Sequence, residues 1–111
     1  MSDSHDDRAT ENESTGQMRL HASGAADLMK ALGNESRLLV LCALAEGERS
    51  VSELNEGIPL SQSALSQQLA RLRRENLVRT RRESQTIYYS LVPGPVDEVI
   101  RVLHNIYCSP T

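Results

Sequence analysis

The sequence contains no tryptophan and no phenylalanine, and its aromatic residues are three tyrosines. A core without large rings must be filled by Leu, Val, Ile and Ala, and in a chain of 111 residues it is small. No apolar run approaches the roughly 18 residues that a membrane-spanning helix needs, and the polar N-terminus lacks a signal-peptide pattern. These absences predict a cytoplasmic protein without a membrane partner, and a dimer interface would help to stabilise so small a domain.

Cysteine is also scarce, since the chain has only Cys42 and Cys108. Two cysteines in a cytoplasmic protein are typical of free thiols, metal ligands or redox sensors rather than of structural disulfides. Cys42 falls in an apolar helical stripe, where a small buried core residue is the ordinary interpretation. No Cys-x-x-Cys motif and no charged activating neighbour is evident, so we do not expect a thiol enzyme.

The net charge of −3 hides an uneven distribution. The first sixteen residues carry five acids against Arg8, and almost no apolar residue, so residues 1–17 are predicted to be a disordered acidic tail. Residues 18–111 form the predicted folded domain. Between Arg71 and Arg82 the chain has six arginines and one acid, Glu75. A weakly acidic protein can still bind nucleic acid if such arginines share one surface.

Apolar periodicity and capping residues predict five helices. The first runs from about Met18 to Leu32. The second follows the cap Asn34, the short third follows the cap Ser50, and the fourth follows the cap Ser61 and ends near Glu75. The fifth covers residues 95–108, begins at a proline, and has a long apolar face that suggests pairing with a second copy or packing within the chain.

The fourth helix has a polar face suited to DNA. Leu65, Leu69 and Leu72 share its apolar side, whereas short hydroxyls, a carboxamide and a small alanine lie opposite. Such a surface can approach base edges and hydrogen-bond to them. A short helix, a turn and this helix have helix-turn-helix geometry, although a generic helical hairpin has the same spacing.

Two short strands, residues 77–82 and 85–91, are predicted after the fourth helix, with a turn at Glu83-Ser84. A hairpin in this position is a wing, and Arg81 and Arg82 near its tip would meet phosphates or the minor groove. The predicted fold class is therefore mainly α with a small β-hairpin, a winged helix-turn-helix of five helices and a two-stranded wing.

Three segments resemble the ArsR/SmtB family of winged helix-turn-helix repressors: residues 31–37 (ALGNESR), 61–67 (SQSALSQ) and 85–89 (QTIYY). The resemblance implies a homodimer through the first and last helices, binding to operator DNA, and derepression by an inducer. The DNA-binding set that we expect on this basis is Gln62, Ser63, Ser66, Gln67, Arg71, Arg74, Arg81, Arg82 and Gln85. Ser84 stands where many wings of the family have glycine.

The segment from residue 103 to Cys108, together with Cys42, resembles the BigR- and HlyU-like, persulfide- and polysulfide-sensing branch of the family. The resemblance implies that reactive sulfur bridges the two thiols and lowers DNA affinity. The third helix lacks the cysteine cluster of metal-sensing members, and Asp97, Glu98 and His104 do not reproduce the acid and histidine pattern of others.

We therefore expect no metal and no cofactor, and take His104 as a surface or interface residue. Three alternatives stay open: a zinc-type repressor that uses both cysteines and His104, a peroxide-sensing disulfide switch, and a constitutive DNA-binding module with inert cysteines.

Overall fold

The structure is a computed structural model that describes the backbone of residues 2–108 and the side chains of residues 15–108. Contacts within the chain divide it into two units, Met1–Ala31 and Leu32–Thr111. The first unit is one helix, α1, which spans Ser2–Leu32. Within the described residues, no helix is both long and apolar enough to cross a membrane.

Helix α1 begins at Ser2 rather than near Met18, so the predicted start was wrong by more than four turns. The prediction followed apolar periodicity, which is absent from the first sixteen residues, but no proline occurs before Pro59 to stop a helix from extending. The apolar side chains of Met18, Leu20 and Met29 are exposed. The division into a disordered acidic tail at 1–17 and a domain at 18–111 stays a prediction.

Over its described residues, 32–108, the second unit contains four helices and three strands in chain order. They are α2 (Glu35–Ala45), β1 (Arg49–Ser50), α3 (Val51–Gly57), α4 (Gln62–Arg74), β2 (Val78–Glu83), β3 (Thr86–Leu91) and α5 (Pro95–Cys108). The predicted helices and the predicted hairpin are all present. The two-residue strand β1 was not predicted, because an element this short has no sequence period of its own.

The three predicted caps are confirmed. Asn34 Oδ1 accepts a hydrogen bond from the Arg37 backbone N–H at 3.0 Å. Ser50 and Glu53 form a capping box, in which the Ser50 hydroxyl accepts from the Glu53 N–H and the Glu53 carboxylate accepts from the Ser50 N–H. The Ser61 hydroxyl accepts from the Ala64 N–H at 3.1 Å. These bonds fix where α2, α3 and α4 begin.

Helix α4 ends in a Schellman motif. The Leu77 N–H donates to the Leu72 carbonyl at 2.9 Å, and the Asn76 N–H donates to the Arg73 carbonyl at 3.0 Å. Asn76 has φ 63°, in the left-handed region that asparagine tolerates better than most residues. This turn directs the chain from α4 straight into the wing.

The strands form one antiparallel sheet in the order β1-β3-β2. Strand β2 pairs with β3 from Val78 opposite Leu91 to Glu83 opposite Thr86. The tip is therefore Ser84-Gln85, one residue later than predicted, and Ser84 has φ 56°. Strand β1 pairs with Tyr88 and Tyr89 of β3, which attaches the wing to the segment between α2 and α3.

The core of the second unit is aliphatic, as the composition requires. Its largest fully buried side chains are Val40, Leu41, Leu54, Leu65, Leu69, Leu72, Val78 and Ile100. One buried charge accompanies them: Arg37 is 6% exposed, and its Nη1 lies 3.6 Å from Glu75 Oε2 at the end of α4. An apolar wall and an ion pair thus hold α4 with its polar side outward.

Candidate DNA interface and thiol cavity

The outward side of α4 carries the predicted base-reading residues. Gln62, Ser63, Ser66 and Gln67 are all exposed, whereas Leu65, Leu69 and Leu72 on the opposite side are buried. The Ser63 hydroxyl lies 3.3 Å from the Ser61 hydroxyl, and no other side-chain hydrogen bond ties down this group within residues 15–108. These side chains are therefore available to a partner such as the edge of a base pair.

Two exposed arginines lie at the C-terminal end of the same side of α4. Arg71 and Arg74 are exposed and line a shallow groove of about 450 Å³ together with Ser36 and Gln67. Arg71 Nε lies 3.6 Å from Glu75 Oε1, which is a long and exposed ion pair that is worth little. Both guanidinium groups can thus turn toward a phosphate beside the predicted base-reading side chains.

The two wing arginines have different surroundings. Within the part of the chain whose side chains are described, Arg82 is exposed and forms no ion pair, and Gln85 at the tip is exposed as well. Arg81, in contrast, donates from Nε and Nη2 to the Glu48 carboxylate and from Nη1 to Glu83 at 2.9 Å. Its guanidinium also lies 4.8 Å from the centre of the Tyr88 ring. Arg81 must leave Glu48 and Glu83 before it can reach a phosphate.

The two cysteines, 66 positions apart in sequence, line one cavity of about 280 Å³. Helices α2 and α5 pack against each other, and the Arg101 guanidinium of α5 donates to the Ala45 carbonyl of α2. His104 contacts Glu46, and Cys108, one turn further along α5, lines the same cavity as Cys42, one turn earlier along α2. The helices run antiparallel here, and this register places both thiols at one cavity.

The two thiols differ in accessibility. Both are unbridged, Cys42 is half-buried and Cys108 is exposed. Burial raises the pKa of the Cys42 thiol above its ordinary value, and the negative charges of Cys108 and Glu46 raise this pKa further. Cys42 therefore keeps its proton at neutral pH, whereas Cys108 is open to dissolved reagents.

Charged side chains surround the thiols, which sequence reasoning missed. His104 Nε2 lies 3.2 Å from Glu46 Oε1, and Arg49 Nη2 lies 3.7 Å from Glu46 Oε2. His104, expected to be a surface or interface residue, is half-buried and lines this cavity. Four-residue spacing, Cys42 with Glu46 and His104 with Cys108, was the available signal, but it shows only the helix face and not the partner helix.

The His, Cys, Asp and Glu side chains of the described residues were expected not to form a metal site. Among residues 15–108, no group of three or more His, Cys, Asp or Glu side chains is placed to hold a metal ion. Cys42, Cys108 and His104 line the same cavity, but the His104 ring is engaged with Glu46.

Comparison with known proteins identifies the fold. Residues 34–80, which cover α2 to the start of the wing, match the model of the bacterial regulatory protein, arsR family. The chain is 49% identical over 92 residues to the transcriptional activator HlyU of Vibrio cholerae, which is 83% of this chain and 85% of HlyU. The chain belongs to the ArsR family of bacterial regulatory proteins. The predicted family and the predicted winged helix-turn-helix fold are confirmed.

Two further relatives agree with this assignment. The biofilm growth-associated repressor of Agrobacterium fabrum is 41% identical over 93 residues, which is 84% of this chain and 80% of that protein. The structure of reduced HlyU from Vibrio cholerae superimposes with a TM-score of 0.75 at 49% identity, over 83% of this chain and 97% of that one. These relatives are transcriptional regulators and not enzymes, and the ArsR-family chain described here is a DNA-binding transcriptional regulator.

Proposed function

We propose that this protein is a dithiol-based transcriptional repressor. It binds operator DNA as a homodimer in the cytoplasm and is released when sulfur from a persulfide or polysulfide bridges Cys42 and Cys108. The observation that carries the proposal is the shared cavity, which is lined by two unbridged thiols that are far apart in the sequence. The relative from Agrobacterium fabrum is named a repressor, whereas HlyU is named an activator. We propose repression for this chain.

In this proposal α4 enters the major groove and the wing follows the backbone. The side chains that contact bases are Gln62, Ser63, Ser66 and Gln67. The phosphate contacts come from Arg71, Arg74 and Arg82, and Gln85 is added at the wing tip. Support comes from the exposure of these residues and from the aliphatic wall that keeps α4 in this orientation.

The homodimer of the proposal uses the first and last helices. Helix α5 exposes Val102, Ile106 and Tyr107, of which Tyr107 is 80% exposed. Helix α1 exposes Met18, Leu20 and Met29. Apolar side chains at this density on two helices are typical of a surface that a second copy covers. A twofold dimer also presents two recognition helices to two half-sites about 34 to 36 Å apart.

The thiol chemistry follows from the two environments. With an organic trisulfide, R–S–S–S–R, as donor, the exposed Cys108 sulfur attacks the central sulfur and releases one thiol, RSH. The Cys42 sulfur then attacks the same sulfur atom, now carried by Cys108, and releases the second RSH. The product is a Cys42–S–S–S–Cys108 trisulfide, so that the protein gains one sulfur and loses two hydrogens.

The inserted sulfur atom determines which oxidants can bridge the two thiols. A direct disulfide needs Cα atoms within about 4.4 to 6.8 Å, and a polysulfide chain spans a longer gap without strain. A bridge also fixes the end of α5 to α2. Because α5 carries part of the proposed dimer surface, a shift of this helix changes the spacing of the two recognition helices and weakens simultaneous docking.

Serine variants of the two cysteines test this function. Cys42→Ser and Cys108→Ser should each bind an operator duplex as tightly as the reduced wild type, because neither residue lies on the α4 surface. Treatment with glutathione trisulfide should lower the operator affinity of the wild type at least about tenfold, a coupling of roughly 1.4 kcal/mol. Neither variant should respond.

The operator duplex is selected by the reduced protein from a random-sequence library, and affinity is measured by fluorescence anisotropy at fixed salt. Exposed Ser52→Ala on α3 serves as a control that must retain the full response. Loss of operator binding by both reduced serine variants, or release of either variant by the trisulfide, contradicts the proposal.

A further inference from the structure

Two pairs of side chains face each other across the thiol cavity. Cys42 and Glu46 are four residues apart at the end of α2, and His104 and Cys108 are four residues apart at the end of α5. Residues at this spacing lie on one face of a helix. A contact of 3.2 Å between His104 Nε2 and Glu46 Oε1 joins the two faces, and all four side chains line the same cavity.

The Glu46 contact determines which ring nitrogen of His104 is free to accept a proton. An ionised carboxylate can only accept hydrogen bonds, so the imidazole donates through Nε2–H. The lone pair of the neutral ring then lies on Nδ1. The same carboxylate stabilises the imidazolium that forms when Nδ1 takes a proton, as the acid does in a nucleophile–histidine–acid triad.

Cys42 is the thiol that needs such an acceptor. Only a thiolate is an effective nucleophile in sulfur exchange. Cys42 is half-buried, and both its burial and the carboxylate one turn away disfavour its ionised form. Cys108 is exposed to solvent, whereas the proton of half-buried Cys42 has to be accepted inside the cavity.

We propose that His104 accepts the proton of the Cys42 thiol when its sulfur attacks the sulfur chain on Cys108, and that Glu46 orients the imidazole. The inference rests on the proposed sulfur-sensing function and deepens it. In the second exchange step the bond from Cys42 Sγ to the central sulfur forms, and the bond from that sulfur to the departing thiolate breaks. The electron pair leaves with RS⁻, and the proton passes from Cys42 to His104 and then to RS⁻, which departs as RSH.

The charges around His104 make this step dependent on pH. Helix α2 contributes Cys42 and Glu46, β1 contributes Arg49, and α3 contributes Glu53, whose carboxylate caps its own helix through the Ser50 N–H. Arg49 Nη2 lies 3.7 Å from Glu46 Oε2, so the carboxylate contacts a guanidinium as well as the imidazole. Protonation of the ring in acid removes the acceptor, so bridge closure slows as pH falls.

The test is the rate of bridge closure as a function of pH. The full-length reduced protein is mixed with glutathione trisulfide, quenched with acid, and analysed by intact mass. The Cys108 adduct and the closed trisulfide differ by one glutathione. The variants are His104→Gln, which keeps an N–H donor for Glu46 but cannot take a proton, and Glu46→Gln. Exposed Glu56→Gln on α3 is the control.

The wild-type closing rate should rise with pH, because only the neutral imidazole can accept the thiol proton. His104→Gln should close about 100-fold more slowly near neutral pH and speed up only as the thiol itself ionises. Glu46→Gln should slow closure as well, because the imidazole loses its orienting partner, although loss of the Glu46 charge by itself favours the Cys42 thiolate. Glu56→Gln should match the wild type. Adduct formation on Cys108, measured in a Cys42→Ser background, should not change when His104 is replaced.

The outcomes separate the two proposals. If His104→Gln closes the bridge at the wild-type rate and with the wild-type pH profile, the role of His104 is overturned while sulfur sensing stands. If the wild type forms no bridge at any pH, both proposals are overturned. Operator affinity of each reduced variant confirms that it is folded, and Glu46→Gln decides the matter if His104→Gln fails that check.

Discussion

Arg81 and Arg82 are neighbours in β2, but only one of them has a free guanidinium. Two carboxylates and the Tyr88 ring contact Arg81, and the hydrogen bonds that its guanidinium donates to Glu48 and Glu83 raise its pKa above the ordinary arginine value. Arg82 is exposed and forms no ion pair within residues 15–108. The sequence pattern predicted the same role for both arginines, because Glu48, the partner of Arg81, is 33 positions away.

This difference predicts different salt dependences of operator binding. Each phosphate that a protein neutralises contributes about 0.9 to the slope of log affinity against log salt concentration. Arg82→Gln should reduce the slope by about one unit and weaken binding similarly on operator and random duplexes. Anisotropy titrations at several salt concentrations measure both quantities.

Arg81→Gln is the matched comparison for that experiment. The charge it removes is already paired with carboxylates, so the slope should stay within a few tenths of the wild-type value. A full unit lost in Arg81→Gln, with none lost in Arg82→Gln, would show that Arg81 leaves Glu48 to bind a phosphate and that the assignment of the wing contacts is reversed.

The turn at the end of α4 is important because it connects this helix directly to the wing and so determines how the two elements are oriented. Asn76 adopts a positive φ in the Schellman motif, and Glu75 next to it contacts both Arg37 and Arg71. Left-handed backbone costs most L-residues about 1 kcal/mol or more, and glycine pays no such penalty. The identity of this residue should therefore affect stability through the backbone alone.

Asn76→Ala should lower the free energy of unfolding by about 1 kcal/mol, and Asn76→Gly should change it by less than half as much. Urea unfolding followed by circular dichroism, at one fixed protein concentration, compares the two variants. Equal destabilisation by alanine and glycine would show that the Asn76 side chain, and not its φ angle, stabilises the turn.

Local signals made the elements of the second unit predictable, and non-local contacts account for most of the misses. The caps Asn34, Ser50 and Ser61 depend on hydrogen bonds within three residues, and the sequence identified all of them. Strand β1 exists through pairing with β3, some 40 positions away, so no window around residues 49–50 contains its cause. The polar first half of α1 lacks the apolar period on which the prediction of a helix start relied.

In the molecule as a whole, the arrangement of the two cysteines likewise depends on contacts between residues far apart in the sequence. Sequence resemblance selected Cys42 and Cys108, but the reason that both line one cavity is the packing of α2 against α5. The contact between Glu46 and His104, separated by 58 positions, arises from that packing and was not predicted. Regulation in this account depends on a tertiary contact that connects the sensing residues to the proposed dimer helix.

The most direct test of the account compares three inducers on the same reduced protein. Glutathione trisulfide, hydrogen peroxide and zinc are added separately, and operator affinity and intact mass are measured on each sample. We expect only the trisulfide to lower the affinity, together with a gain of one sulfur and a loss of two hydrogens on a Cys42–Cys108 link. Loss of DNA binding on zinc without a response to the trisulfide would contradict sulfur sensing and make the protein a metal-responsive repressor. Release by peroxide with a loss of two hydrogens and no added sulfur would make it a disulfide switch.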